Sequence, residues 1–416
     1  MVKPGYKQTE IGVIPEDWEV SRWEDCFSGF TSGATPYRGK AEYYNGSIKW
    51  VTSGELKYNT IFDTIEHISD EAKAETHLVF HPAGTFLMAI TGLEAAGTRG
   101  SCALLGIEAT TNQSCLAIYG STKADTRFLY YYYLNNGDNL AFQYCQGTKQ
   151  QSYTAAIVKK LPIIIPPISE QHRIAEALSD VDELIASLEK LIAKKKAIKQ
   201  GAMQELLTGK RRLPGFSGEW KSVSLSEIGH FIKGSGISRA DANSGKLPAV
   251  RYGELYTKHD NYLKEYYSHI SFDVAQTAVP VTYGAILFAA SGETKEEIGK
   301  CAAIIDDHIV YAGGDILIFV PDKPIHPVFF GTLLNSPEVC KQKAQRGQGD
   351  AIVHIHADSL SEIEVQIPEY DEQAAIADVL LSADREIDSL EMKIAKARYV
   401  KQGMMQQLLT GKIRLE

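Results

Sequence analysis

IPPISEQHRIAEALSDVDELIASLEKLIAKKKAIKQGAMQELLTGKRRL, residues 165–213, returns as IPEYDEQAAIADVLLSADREIDSLEMKIAKARYVKQGMMQQLLTGKIRL, residues 367–415. The two stretches align without a gap and roughly half their positions are identical, which marks an internal repeat with a period of about 200 residues. In the first copy, apolar residues fall at Ile174, Leu178, Val181, Ile185, Leu188 and Ile192. The second copy repeats them as Ile376, Leu380, Ala383, Ile387, Leu390 and Ile394. Alternating steps of four and three are the seam of a heptad helix. Ser169 and Asp371 are the expected N-caps, and Gly209 and Gly411 the expected stops. Each helix would run about 40 residues, or roughly 60 Å, too long for an ordinary core helix, so the two seams are expected to pack on each other. A tandem repeat closing on itself is most simply arranged about a pseudo-two-fold axis, which sets the helices antiparallel. Gly201 and Gly403 stand at equivalent points inside the helices. Glycine costs about 1 kcal/mol there, so its double occurrence suggests close backbone approach or a partner contact.

Outside these blocks the repeat fades to short echoes. VTSGEL around Gly54 answers RYGEL around Gly253, GTFLMAITG from Gly84 answers GAILFAASG from Gly284, and Gly100 with Cys102 answers Gly299 with Cys301. IPEDWEV around Trp18 also echoes FSGEWKS around Trp220, so the repeat is nearly cyclic. Short β-like runs such as SIKWVTS, SCALLGI and DILIFV, punctuated by Gly, Asn and Asp, indicate mixed α/β units on either side of the first helix. RFLYYYYLNN around Tyr131 and VFFGTLLNS around Phe330 read as helices whose aromatic residues belong to the core. The expected fold is therefore mixed α/β: two globular units separated by two long antiparallel helices forming a coiled coil, with a pseudo-two-fold internal repeat.

Composition narrows the function. No stretch of the 416 residues is long and apolar enough to span a bilayer, and the six cysteines form no CxxC pair, which fits a cytoplasmic chain without a zinc site. The net charge of -9 opposes a simple nucleic-acid binder. Local counting softens that objection. Lys190, Lys194, Lys195, Lys196, Lys199, Lys210, Arg211 and Arg212 face only Glu205, and the second copy carries Lys393, Lys396, Arg398, Lys401, Lys412 and Arg414 with no acid among them. Catalytic motifs are missing. The only double proline is Pro166-Pro167, not a base-flipping methyltransferase loop, and Gly209-Lys210 and Gly411-Lys412 lack the rest of a phosphate loop. Glu170, Asp180 and Glu189 read as helix-surface acids rather than a nuclease cluster, and His354 and His356 as a polar strand edge.

Glu170-Gln171 and Glu372-Gln373 at the helix openings, LLTGK at both ends, GVIPEDW, SGATPYRG, IKWVTSGEL and QGTKQQSYTAAIVKKLPIIIPP, in this order along the whole chain, resemble the specificity subunit of Type I restriction-modification systems. The resemblance implies a target recognition domain at 1–165, a central helical region at 166–212, a second recognition domain at 213–366 and a C-terminal helical region at 367–416. It implies that each domain reads one half of a split site on double-stranded DNA, with the helices as spacer and docking site. It further implies two methylation subunits that bring S-adenosylmethionine, restriction subunits that use ATP and magnesium, no cofactor in this chain, no membrane and no catalytic residue. Base contacts need donor and acceptor side chains on groove-facing loops. The candidates are Thr35, Tyr37, Arg38, Lys57, Arg99, Lys149, Gln150, Gln151 and Tyr153 in the first domain. In the second they are Lys233, Ser235, Arg251, Tyr252, Lys295, Arg346, Gln348 and His354. RGQGD after Arg346 and QGTKQQ from Gln146 fall at matching places before the helices. The competing reading is a coiled-coil interaction scaffold without DNA specificity.

Overall fold

A computed structural model describes residues 3–93, 98–146, 151–349 and 352–415. The chain groups into two compact units, Met1–Glu189 with Met392–Glu416, and Lys190–Glu391. Each long helix is shared, since the helices run Ile168–Leu206 and Tyr370–Leu408 and the halves of each go to different units.

In the first unit a five-stranded sheet is ordered Gly29–Ser32, Cys115–Tyr119, Phe86–Ala89, Cys102–Leu105, Asn59–Ile61. Its middle strand, FLMA, is buried at every position because the sheet is covered, which is why it reads as a continuous apolar run rather than an alternating one. The cover is the helix Thr126–Tyr144, whose Phe128 to Tyr133 are all buried. Tyr133 meets Trp23 and Phe86 edge to face. In the second unit the corresponding sheet is ordered Gly229–Lys233, Ile316–Pro321, Ile286–Ala289, Cys301–Ala303, covered by Pro327–Leu334. The sequence echoes are thus the same pair of strands in both units: Leu87 lies opposite Ala103, and Leu287 opposite Ala302. A smaller sheet accompanies each: three strands around Ile48–Val51 and four around Leu247–Val250.

A two-stranded ribbon brings the incoming and outgoing chain of each unit together. Glu19–Arg22 pairs antiparallel with Pro162–Ile165, and Lys221–Ser224 with Glu364–Ile367. The outgoing strand leads into a long helix. The helices begin two residues earlier than the sequence indicates: the carbonyl of Pro167 accepts from the N–H groups of Glu170 and Gln171, and that of Glu369 from Glu372 and Gln373. Ser169 and Asp371 therefore stand inside the first turn and are not the caps. The stops are where the sequence puts them, with Gly209 and Gly411 at φ 67° and 68°, the left-handed conformation that glycine adopts without cost.

Within each unit the two helix segments lie antiparallel. In the first unit Asp182 pairs with Lys401 (2.6 Å) and Glu189 with Arg398 (2.6 Å). In the second Asp384 pairs with Lys199 (2.6 Å) and Glu391 with Lys196 (2.7 Å). These are the same contacts with the roles of the two helices exchanged. Ile174, Leu178, Ile192, Ile376, Leu380, Ile387, Leu390 and Ile394 are buried, and Val181, Ile185, Leu188 and Ala383 half-buried. No heavy atom lies within 4 Å of a Cβ built on Gly201 or Gly403, so the described residues show no close backbone approach there.

Candidate nucleic-acid interface

Both units build one loop arrangement from unlike sequence. Beyond the strand Phe86–Ala89 the chain leaves the sheet, and the segment that later returns toward the long helix pairs with it. Tyr153 N–H donates to the Ile90 carbonyl (2.8 Å), Leu93 N–H to that of Gln151 (3.2 Å), and Gln146 and Ser152 exchange two bonds of 3.0 Å. In the second unit Ile355 N–H donates to the Ala290 carbonyl (2.9 Å), and Gln348 and His354 exchange bonds of 2.9 and 2.7 Å. The isolated bridges Thr91 to Ser152 and Gln146 to Ser152 thus reappear around His354. Gln146 and Gln151, the described residues of QGTKQQ, and Gln348 of RGQGD occupy one place in the fold, each beside the loop that follows the central strand.

The first unit's loop pair collects Arg99 and Gln151, and Lys57 joins them because its neighbour Tyr58 donates its hydroxyl to the Arg99 carbonyl (3.1 Å). The second collects Lys295, Gln348 and His354, whose Nδ1 lies 2.9 Å from Ser291 Oγ. Tyr252 is exposed on the adjoining short helix, whose Tyr256 donates to the Ser291 carbonyl (3.0 Å). Lys149 and Gln150 lie outside the described residues.

Several candidates are already engaged. Tyr153 is 3% exposed and packs in the first core, so its ring reaches no groove, because the segment that looked turn-rich is tied to Ile90. Arg38 forks onto Glu66, with Nη2 at 2.8 Å from Oε2, and lies over Tyr44. Arg99 sits 3.2 Å from Asp138 and over the Phe142 ring. Arg251 donates to Glu254 and Ser268, closing the YGEL turn. Ser235 donates to the Thr277 carbonyl, Thr35 to Gln113, and Arg346 to the carbonyls of Gln342 and Glu362. Gln151 is half-buried, which leaves Tyr37, at 69% exposure, with Lys57, Lys233, Tyr252, Lys295, Gln348 and His354 presented to solvent. Among the described residues Lys57, Lys233 and Lys295 have no carboxylate within 4 Å.

The basic helix segments have another use than the sequence indicates. Lys195, Lys196, Lys199 and Arg212 pair with Glu386, Glu391, Asp384 and Glu372, while Arg398, Lys401 and Arg414 pair with Glu189, Asp182 and Glu170. Their charge neutralises the acids of the other helix and is largely withdrawn from a phosphate backbone. Glu170 is not a surface acid: it is 2% exposed, accepting from Arg414 through both oxygens and from Trp18 Nε1 at 3.0 Å. Glu372 repeats the arrangement with Arg212, whose guanidinium lies over Trp220.

The glutamine that follows each of these glutamates joins the globular part of its unit to the long helix. Gln171 Oε1 accepts from Asp125 N–H (2.9 Å) at the start of the covering helix, and its Nε2 donates to the carbonyls of Lys123 and Pro166 (2.8 Å each). Gln373 accepts from His326 N–H (3.0 Å) and donates to Pro368 (2.9 Å). Their identity in both copies is the available signal, but a glutamine in a helix opening reads as exposed until its partners are known.

A family model described as the Type I restriction modification DNA specificity domain matches residues 15–200 and again 217–397. The Type I restriction enzyme MjaVIII specificity subunit of Methanocaldococcus jannaschii is 24% identical over 420 residues, covering 97% of this chain and 94% of that one. The EcoR124I/EcoR124II specificity subunit of Escherichia coli is 25% identical over 176 residues, 41% of each chain. Among solved structures, the Type-I restriction-modification system S subunit from M. genitalium superposes with a TM-score of 0.60 at 16% identity, covering 94% of this chain and 96% of that one. The HsdS subunit from Thermoanaerobacter tengcongensis gives 0.51 at 15% identity, covering 99% and 100%.

Proposed function

This chain belongs to the Type I restriction modification DNA specificity family and is a specificity subunit that recognises DNA; we propose that its two units each read one half of a bipartite target on the duplex. The observation that carries this is the loop pair: one backbone register in both units, Gln146 with Ser152 and Gln348 with His354, bearing different side chains. A common scaffold with unlike readers makes two unlike half-sites. Tyr37, Lys57, Lys233, Tyr252, Lys295, Gln348 and His354 are the contacts favoured by their exposure.

The long helices act as the spacer, a coiled coil that turns two short half-sites into one long one, because both units contribute binding energy only when both engage. Methylation subunits dock on this frame, whose near repeat suits two copies of one partner. Methyl transfer and cleavage belong to the partner subunits, which hold S-adenosylmethionine and, for restriction, ATP with magnesium. One heptad added to both helices, at Ala193 and Ala395, keeps the seam and adds about 10.5 Å, close to three base-pair rises.

The test is to express the chain with its methylation subunit and map adenine methylation over plasmid DNA by single-molecule sequencing. A split motif with a fixed gap, altered at one half when residues 18–161 are exchanged for those of another such subunit, supports the reading. Methylation independent of this chain, or a complex that forms and does not bind duplex DNA, overturns it in favour of a scaffold.

A further inference from the structure

Asp182 and Asp384 are equivalent residues of the two long helices, and each ties three elements together. Asp182 accepts from the Tyr131 hydroxyl (2.9 Å) and pairs with Lys401 (2.6 Å), whose ammonium lies 5.4 Å from the centre of the Tyr131 ring. Asp384 accepts from the Tyr262 hydroxyl (2.8 Å) and from Lys199 (2.6 Å). Both tyrosines are buried.

The aspartates and lysines belong to the repeat; the tyrosines do not. Tyr131 stands six residues past the N-cap Asp125 of the covering helix. Six residues past the N-cap His326 of the second unit stands Thr332, whose hydroxyl donates to the Val328 carbonyl of its own helix (2.7 Å). The bond to Asp384 comes instead from the segment between the helix Tyr252–Thr257 and the strand Ser268–Ile270. Two unrelated routes deliver a phenol to the same acceptor.

The position along the helix gives this meaning. Each unit is already fastened at Gln171 or Gln373. These attachments, with those of Trp18 on Glu170 and His172 on Asp125 in the first unit, all sit in the opening turns of the helix and together act as a pivot. The aspartate lies eleven residues further on, about 16 Å along the axis, and a directional bond at that distance turns the pivot into a fixed angle. Apolar packing between the same surfaces is non-directional and tolerates sliding. We infer that Tyr131 and Tyr262 are positioning residues that set the angle at which each reading unit sits on the frame, and so restrict the half-site spacing that the subunit accepts. This rests on the reading of the helices as a spacer.

The experiment uses the assembled complex with its methylation subunits and plasmids carrying both half-sites at every gap from two base pairs below the native one to two above. Tyr131→Phe and Tyr262→Phe each remove the hydroxyl and leave the Asp–Lys pair in place. The expected result is unchanged half-site sequences with methylation at gaps one base pair away raised about tenfold relative to the native gap, the factor for removing one charge-assisted hydrogen bond. A uniform fall in methylation or in melting temperature, with the ratio between gaps unchanged, overturns the inference and leaves the tyrosines structural. The heptad insertion at Ala193 and Ala395 separates the two claims. If it fails to move the preferred gap, the spacer reading falls; if it moves the gap and the phenylalanine variants stay strict, only the positioning role falls.

Discussion

Gly209 and Gly411 share a conformation and differ in surroundings, so alanine at each separates a backbone cost from a packing cost. Both have φ near 67°, where an L side chain costs roughly 1–2 kcal/mol. At Gly209 the nearest atom to a new Cβ is Trp220 Cε2 at 3.5 Å, an ordinary contact, so Gly209→Ala carries the backbone cost alone. At Gly411 the Cβ would fall 2.5 Å from both Cγ and Cδ of Pro15 and 3.2 Å from Trp18 Cη2. Proline cannot rotate away, and overpacking adds about 1–3 kcal/mol, for a total of about 2–5 kcal/mol. Units of about 200 residues lose about 2–4 °C of melting temperature per kcal/mol. Gly209→Ala should therefore lower the transition of the second unit by about 2–8 °C, and Gly411→Ala that of the first by about 4–20 °C. Calorimetry of the full chain, with hydrogen exchange to assign each transition, reads both. Equal drops, or a larger one at Gly209, would refute the steric contribution of Pro15.

His81 is buried between the Tyr119 hydroxyl (2.6 Å from Nδ1) and Thr111 Oγ1 (3.2 Å from Nε2), and burial pushes its imidazole down to about 4. The unfolded chain protonates near 6.5 while the folded chain does not, so this contribution to stability is complete above 6.5 and is lost as pH falls toward 4. Urea midpoints between pH 7 and 4 should fall more steeply for the wild type than for His81→Gln, and parallel curves would clear His81 of the effect. In the assembled complex, Lys57→Ala and Lys295→Ala should each flatten the dependence of log affinity on log salt by about 0.9 for every phosphate left without its lysine, with a slope identical to wild type placing that lysine away from the DNA.

The parts legible from sequence alone are those with a period or a twin. The two long helices, the stops at Gly209 and Gly411, and the matched strands around Leu87 and Leu287 all announce themselves by repetition. What escapes is set by distant partners. The lysines of the first helix look like a DNA-facing charge because their carboxylates are remote in sequence, as with Lys199 and Asp384, which are 185 apart. Glu170 looks like a surface acid because Arg414, which buries it, is 244 residues distant. Tyr153 looks exposed because its segment is rich in polar residues, yet its backbone is one rung of a ladder to Ile90. Tyr131 reads as a core residue and is one, while its hydroxyl's errand to Asp182 leaves no trace in the local pattern.

Among the described residues Gln171 and Gln373, the junction glutamines, hydrogen-bond to their reading units through main-chain groups, the N–H of Asp125 or His326 and the carbonyl of Lys123. A main-chain address is blind to side chains. Asp125 and His326 differ in size and their N–H groups are gripped alike, so the glutamine bond by itself places no constraint on the residue it holds. On the proposed reading the frame is a socket with two requirements, a backbone turn for the glutamine and a hydroxyl for Asp182 or Asp384, and a cassette that meets both would bring a new half-site without redesigning the helices.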